Sequence, residues 1–396
     1  TTEQPQTIFG SVTGDFENHT PGTDDDSAIN VTIASDQVNV IKHMLPGRFL
    51  QIMTTSSEFT LSGAGLTAVT PTNVNVLRET TFGSDGVRPL RAGASTIMVQ
   101  KGGEKVKEVT FSLETDGLVG RDLTVLGEHL ARGGLTDMIW QQEPELVLWF
   151  VRADGVLIGL SYDPANNTIG WHQHPLGGTA VVESITAIPS GSEDQVYLSV
   201  KRTINSATVR HIVFMKTLSF DTIDDAFFVD SGFTYSGSAT ATITGMHHLE
   251  GQTVQILADG ATHADKTVSG GSITLDRTAS KVHVGFSYDS LVKTLRMEAG
   301  AEDGIAQGKI KRIHGVTVRF LETVGAELGP NINKLDRLPF RDSSMSMDDA
   351  VPLFSGDKEI FFPSGYENDA QVVVRQNQPL PMTILAIMRR SNTFDA

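Results

Sequence analysis

Leu146 to Gly178, LVLWFVRADGVLIGLSYDPANNTIGWHQHPLGG, reads as three consecutive antiparallel strands. LVLWFVR is a nearly unbroken apolar run, fit for a strand buried on both faces. Asp154-Gly155 is the dipeptide that favours a two-residue type I′ turn, in which both central residues need φ > 0. VLIGLSYD then returns, Pro164 to Asn167 makes a second turn, and TIGWHQH comes back a third time. Such a meander pairs only with its neighbours in sequence. It cannot bury both faces alone, so it needs copies of itself stacked beside it.

The copies are present. RFLQIMT turns at Ser56-Ser57 into EFTLSG, STIMVQK turns at Gly102-Gly103 into KVKEVTFSL, and QVYLSVK turns around Ile204-Asn205 into TVRHIVFMK. With Leu50, Ile97, Leu148 and Leu198 as equivalent centres of the apolar strand, the steps are 47, 51 and 50 residues. That pitch is the one found in propellers, where one four-stranded sheet makes one blade. The alternative is a long β-sandwich with evenly spaced hairpins, which seldom repeats one apolar-strand, turn, polar-strand pattern at fixed pitch. The expected class is therefore all-β: a β-propeller over residues 1–222, a β-sandwich or barrel over 223–335, and an extended segment with strands over 336–396.

Composition narrows the function. A chain of 396 residues can bury a sizeable core. It has no cysteine, hence no disulfide framework and no thiolate metal site. No apolar run is long enough to span a bilayer, and TTEQPQTIFG lacks the basic and apolar regions of an export signal. The net charge of −16 is spread along the chain, which argues against the basic footprint of a nucleic-acid binder. It leaves room for a protein past which DNA slides without sticking.

Other stretches read as follows. GDFENHTPGTDDDS is a polar loop whose Asp24-Asp25-Asp26 lacks the alternate ligands and central Gly of a calcium loop. LTVLGEHLARGG is expected to be a helix with Leu123, Leu126 and Leu130 on one face, ended by Gly133-Gly134. TLSFDTIDDAFFVDSGFTYSG is hinge-like, and a different β module starts at Ala239. GKIKRIHGVTVRFLETVGAELG reads as a strand pair with the one basic patch: Lys309, Lys311, Arg312 and His314. VTVRF and QVVVRQ are expected to be open edges that a ring of subunits would cover.

Candidate chemistry is sparse. His172 and His174 alternate along one strand, so both rings leave the same face, a way of presenting two metal ligands. Asp163 lies beyond a turn and supplies no obvious third. His247-His248 are adjacent and point oppositely. SYDPANNTIGW resembles the Asp-box of sialidase propellers, but Tyr162 and Tyr197 lie in strands and no Arg triad accompanies them. No GxSxG elbow, P-loop or GxGxxG is present. The expectation is no catalytic residue, no cofactor and no metal centre.

Several long segments carry a resemblance: RADGVLIGLSYDPANNTIGWHQHPLGG, HLEGQTVQILADGATHADKTVSGGSITLD, QGKIKRIHGVTVRF and GDKEIFFPSGYENDAQVVVRQNQPLPMTILAIM. Together they are similar to a family of large virion proteins of short-tailed bacteriophages and related prophages, the stabilisation or tail proteins. The inferred assembly role resembles that of the tail nozzle, tail tubular protein B. The resemblance implies an outer β-propeller preceded by further propeller sequence ahead of QTIFGSVTGDFEN, and β domains lining the tail channel. It implies a homo-oligomeric ring, expected as a hexamer, contacting the portal, its adaptor and other tail proteins. DNA would pass through without specific binding, and the site would be the virion, assembled in the host cytoplasm. The competing reading is a carbohydrate-binding or glycosidase-type propeller, which paired carboxylates in a central pocket would support.

Overall fold

Alternation of apolar and polar residues dominates the chain, and the structure follows it: about 55% of the residues are in strands and 3% in helix. The computed structural model describes residues 3–298, 300–301, 304–346 and 349–394. The fold is all-β, and it divides into two compact units. One comprises residues 1–174, 181–201 and 211–215, the other 175–180, 202–210 and 216–396.

The first unit opens with a two-stranded sheet, β1 (Thr7–Gly10) and β2 (Ile29–Thr32). Three four-stranded meanders follow, each with its strands in sequence order. They are β3 (Ile41–Leu45), β4 (Leu50–Thr54), β5 (Glu58–Gly63), β6 (Val74–Thr80); β7 (Leu90–Ala92), β8 (Ser95–Val99), β9 (Val106–Ser112), β10 (Gly117–Asp122); and β11 (Leu135–Gln141), β12 (Val147–Arg152), β13 (Leu157–Asp163), β14 (Thr168–His174). A three-stranded meander closes the series: β15 (Val181–Ser190), β16 (Glu193–Ile204) and β17 (Ala207–Phe214), the end of β16 and the start of β17 (residues 202–210) belonging to the second unit. Leu50, Ile97, Leu148 and Leu198 lie in β4, β8, β12 and β16, the second strand of each sheet. The four expected turns all join the second strand to the third.

Apolar layers hold successive sheets face to face. Ile8 and Ile33 pack with Ile52, Phe59 and Leu61; Met53 with Met98, Val109 and Leu118; Ile97 and Val99 with Leu148, Phe150, Ile158 and Leu160. β12 is buried on both faces, as its unbroken apolar run requires.

Two local expectations need correction. In the β12–β13 turn only Gly155 has positive φ, 84°, so it is not type I′. The Gly155 N–H donates to Arg152 O (2.7 Å) and the Arg152 N–H to Val156 O (3.0 Å), a three-residue loop with a left-handed glycine. The Arg152 guanidinium grips both Asp154 oxygens at 2.9 and 2.8 Å, holding the aspartate out of the left-handed region. Asn205 (46°) and Ser206 (64°) make a two-residue turn with positive φ at both positions, one residue later than expected.

The expected helix from Leu123 shrinks to one turn, α1 (Glu128–Ala131), and Leu126 is 84% exposed. Asp122 accepts from the Thr124 N–H at 2.9 Å, and the Trp171 indole donates to Leu123 O at 2.7 Å. A Cβ on Gly127 would lie 2.5 Å from that indole. Tertiary packing thus holds this stretch as a loop against its leucine pattern.

The second unit carries β18 (Asp230–Thr244), β19 (Thr253–Ala258), β20 (Ala261–Thr267) and β21 (Ser272–Phe286), in the order β18-β21-β19-β20. Asp259 and Gly260 turn β19 into β20 with φ of 47° and 73°. β22 (Ser290–Lys293) and the short antiparallel pair β23 (Gly300–Ala301) and β24 (Gly304–Ile305) come next. Then follow β25 (Ile310–Thr323), β26 (Glu327–Asn331), β27 (Lys334–Arg337), β28 (Phe354–Phe361), β29 (Val373–Gln376) and β30 (Thr383–Phe394). They form the sheets β22-β29-β26-β27 and β28-β25-β30 around a core of Val316, Val318, Phe320, Leu328 and Val374. β25 and β26 therefore enter different sheets and are not a pair. VTVRF in β25 and QVVVRQ in β29 are central strands, so neither is the open edge expected of it.

Candidate functional site

His172 and His174 were the strongest sequence candidates, and β14 does bring their rings together. Trp149, Gly159 and His172 occupy one row across β12, β13 and β14. Gly159 leaves the space that the His172 ring fills, since a Cβ there would stand 2.0 Å from Cε1. Trp149 sets its edge against both imidazoles, with centroids 5.8 and 4.8 Å away. His172 Nδ1 meets His174 Nε2 at 2.6 Å, and His172 Nε2 lies 3.3 Å from Ser161 Oγ. Burial pushes both imidazoles below their ordinary range, with repulsion from His172 adding to the effect on His174, which falls to about 4. The pair is neutral at pH 7 and one ring donates to the other. Among the described residues no group of three or more His, Asp or Glu is arranged to hold a metal. Asp163 is instead tied to Asn166, 2.7 Å away, within its own turn.

Sequence reading missed two buried carboxylates in the first unit. Glu108 accepts from Ser95 (2.9 Å) and from the Tyr162 hydroxyl (2.7 Å), linking the second meander to the third. Burial and this carboxylate push the Tyr162 hydroxyl up to about 12. Glu58 is fully buried, and burial raises its carboxyl above the usual range. It accepts from the Thr80 hydroxyl and, at 3.1 Å, from the Phe82 N–H. Glu58 opens EFTLSG and Glu108 lies within VKEVTFS, where nothing in the sequence marks either as interior.

The stretch from Lys309 to His314 is not a basic patch. Lys311 is buried, its Nζ donating to Asn368 O at 2.9 Å, while its backbone exchanges hydrogen bonds with Glu367. Arg312 leaves the other face and lies over the Tyr366 ring, 5.5 Å from its centre. Strand alternation divides the charges between two faces.

In the second unit a cleft of about 310 Å³ is lined by Glu327, Arg337, Phe340, Arg341 and Gln376 among others. Among the described residues its lining holds one carboxylate, Glu327, which receives Arg375 at 2.6 and 2.9 Å. A paired-carboxylate mechanism has no second partner there. His248 turns its Nε2 to Ser231 O at 3.1 Å, a structural tie.

No family model matches the chain, and no curated protein matches it.

Proposed function

We propose that this chain is a structural subunit of a short-tailed phage tail, forming part of the nozzle through which the genome passes. The observation that carries the reading is the recurrence in the first unit. Three successive four-stranded meanders and a three-stranded one place the same landmark leucine or isoleucine in the second strand of each. First strands contact first strands in successive sheets (β7 with β11, β11 with β15), and β6 contacts β10. That radial order is the one propeller blades adopt. It supports reading the unit as propeller blades, and it agrees with the long segments that resemble the phage tail family. The charge of −16 fits a wall that does not grip phosphate. The cleft with a single carboxylate gives the glycosidase alternative no favouring observation.

In this reading the work is mechanical. Copies form a ring, the ring extends the DNA conduit below the portal, and its sheets bear the load of packaged DNA. Native mass spectrometry of the full chain, with electron microscopy of the particle, tests this. The expected result is a closed ring of uniform subunit number with an opening that admits duplex DNA. A chain that stays monomeric at all concentrations and cleaves glycans would overturn it.

A further inference from the structure

We infer that copies of this chain join through one sheet of the second unit, the free edge of β30 in one copy meeting the free edge of β28 in the next. The inference rests on the ring reading and specifies its contact. β25 is the centre of the sheet, and both β28 and β30 run antiparallel to it. They are therefore parallel to each other, and among the described residues each has a single neighbouring strand. A β30-to-β28 contact is head-to-tail: it preserves strand direction from copy to copy and can close into a ring.

Neither edge is defended in the usual ways. Neither strand contains proline. The bulge in β30 falls at Leu385, near its start, and the rest of the strand stays extended. The inward charges on the two edges are already engaged: Lys358 donates to Pro339 O and lies 4.8 and 4.4 Å over Phe340 and Phe354, and Arg389 donates to Leu295 O. Phe361 on β28 is 79% exposed and Leu385 on β30 57%.

Charge selects a second copy as the occupant. In a chain of net charge −16, β30 carries Arg389 and Arg390 and no acid, whereas β28 carries Asp357 and Glu359 against one lysine. The two edges complement each other. Arg390 already reaches Glu359 within one chain, its guanidinium passing over Gly315, where a Cβ would stand 3.2 Å from Nε. Arg319 holds Asp357 at 2.7 and 2.9 Å on the same face.

The chain has no native cysteine, so engineered pairs report cleanly. Met388 and Glu359 both pair with Thr317, so they lie on opposite sides of β25. Their separation of about two strand spacings, ~9.5 Å, exceeds disulfide reach within one chain. Met388→Cys is combined in turn with Asp357→Cys, Glu359→Cys and Phe361→Cys to span the register, then oxidised as assembled full chain. The expected result is a thiol-reversible ladder up to the ring's subunit number for at least one pair, with no ladder from any single cysteine. Intact rings without a ladder would overturn the inference and leave the ring standing. Dimers from Met388→Cys alone would overturn it in favour of twofold β30 pairing. A chain that never assembles would remove the ring reading and this contact together.

Discussion

At the residue scale the His172–His174 pair sets a pH dependence. Burial holds His174 at about 4, whereas an imidazole in the unfolded chain titrates near 6.5. Between those values the unfolded state binds more protons, so stability rises with pH. The contribution is complete above about 6.5 and is lost as pH falls towards 4. His174→Gln keeps a polar side chain without the titration. Urea unfolding at pH 4.5 and 7.5 is expected to show the wild type losing about 2 kcal/mol more than the variant across that interval. Equal losses would mean that the ring is solvated and titrates normally. The deeper ion pair, Arg202 with Asp230 at 2.5 Å, is structural in the same sense. Arg202 is buried, the Asp230 side chain is 10% exposed, and Arg202 also donates to Ser231. Arg202→Ala is expected to cost about 3 kcal/mol, because it removes a buried cation and leaves the Asp230 carboxylate without it. A chemical-denaturation midpoint unchanged by that substitution would contradict it.

At the element scale the turns decide which strands meet, and two glycines separate backbone cost from packing cost. Gly191 has φ of 66° and open space around a Cβ, whereas Gly155 has φ of 84° with Val181 Cα 3.0 Å from the added atom. Gly191→Ala is expected to cost the left-handed penalty alone, about 1–2 kcal/mol. Gly155→Ala should cost more, since β15 must shift, and equal midpoints in urea would show that the loop yields instead. These elements also show what sequence can reveal. The meanders were legible because alternation and the spacing of Leu50, Ile97, Leu148 and Leu198 are local properties. The β12–β13 turn type was misread because the Arg152–Asp154 grip, absent from turn statistics, holds Asp154 at negative φ. The helix at Leu123 was misread because Trp171, 48 residues away, claims the Leu123 carbonyl. VTVRF and QVVVRQ were read as edges because their apolar runs say that they are buried, not which strands flank them. Of the site candidates, the histidine pair was visible through its i, i+2 spacing. Glu58 and Glu108 were not, since in the sequence a buried carboxylate within a strand looks like an exposed one.

At the scale of the whole molecule charge is the controlling quantity. The chain carries 47 acids against 31 Lys and Arg. The one stretch that looked able to hold phosphate spends its charge internally: Lys311 on the Asn368 carbonyl, Arg312 on the Tyr366 ring. Some exposed basic side chains elsewhere are matched, as Arg319 is by Asp357 and Arg390 by Glu359. Grip on DNA comes from neutralising phosphates with free cations, each adding to a salt-sensitive affinity. Each arginine paired with a carboxylate of its own chain removes one such contact, and the surplus of acids repels the backbone over roughly a Debye length, about 8 Å at physiological ionic strength. A conduit wall needs that property, because every phosphate held would slow ejection. Duplex DNA is therefore expected to show an affinity weaker than about 100 µM at physiological salt, with no steep gain as salt is lowered. Fluorescence anisotropy of a labelled duplex, with chain titrated at two salt concentrations, measures both. Micromolar binding that weakens steeply with added salt would mean that a cationic track exists on the surface, and would count against the proposed role as a conduit.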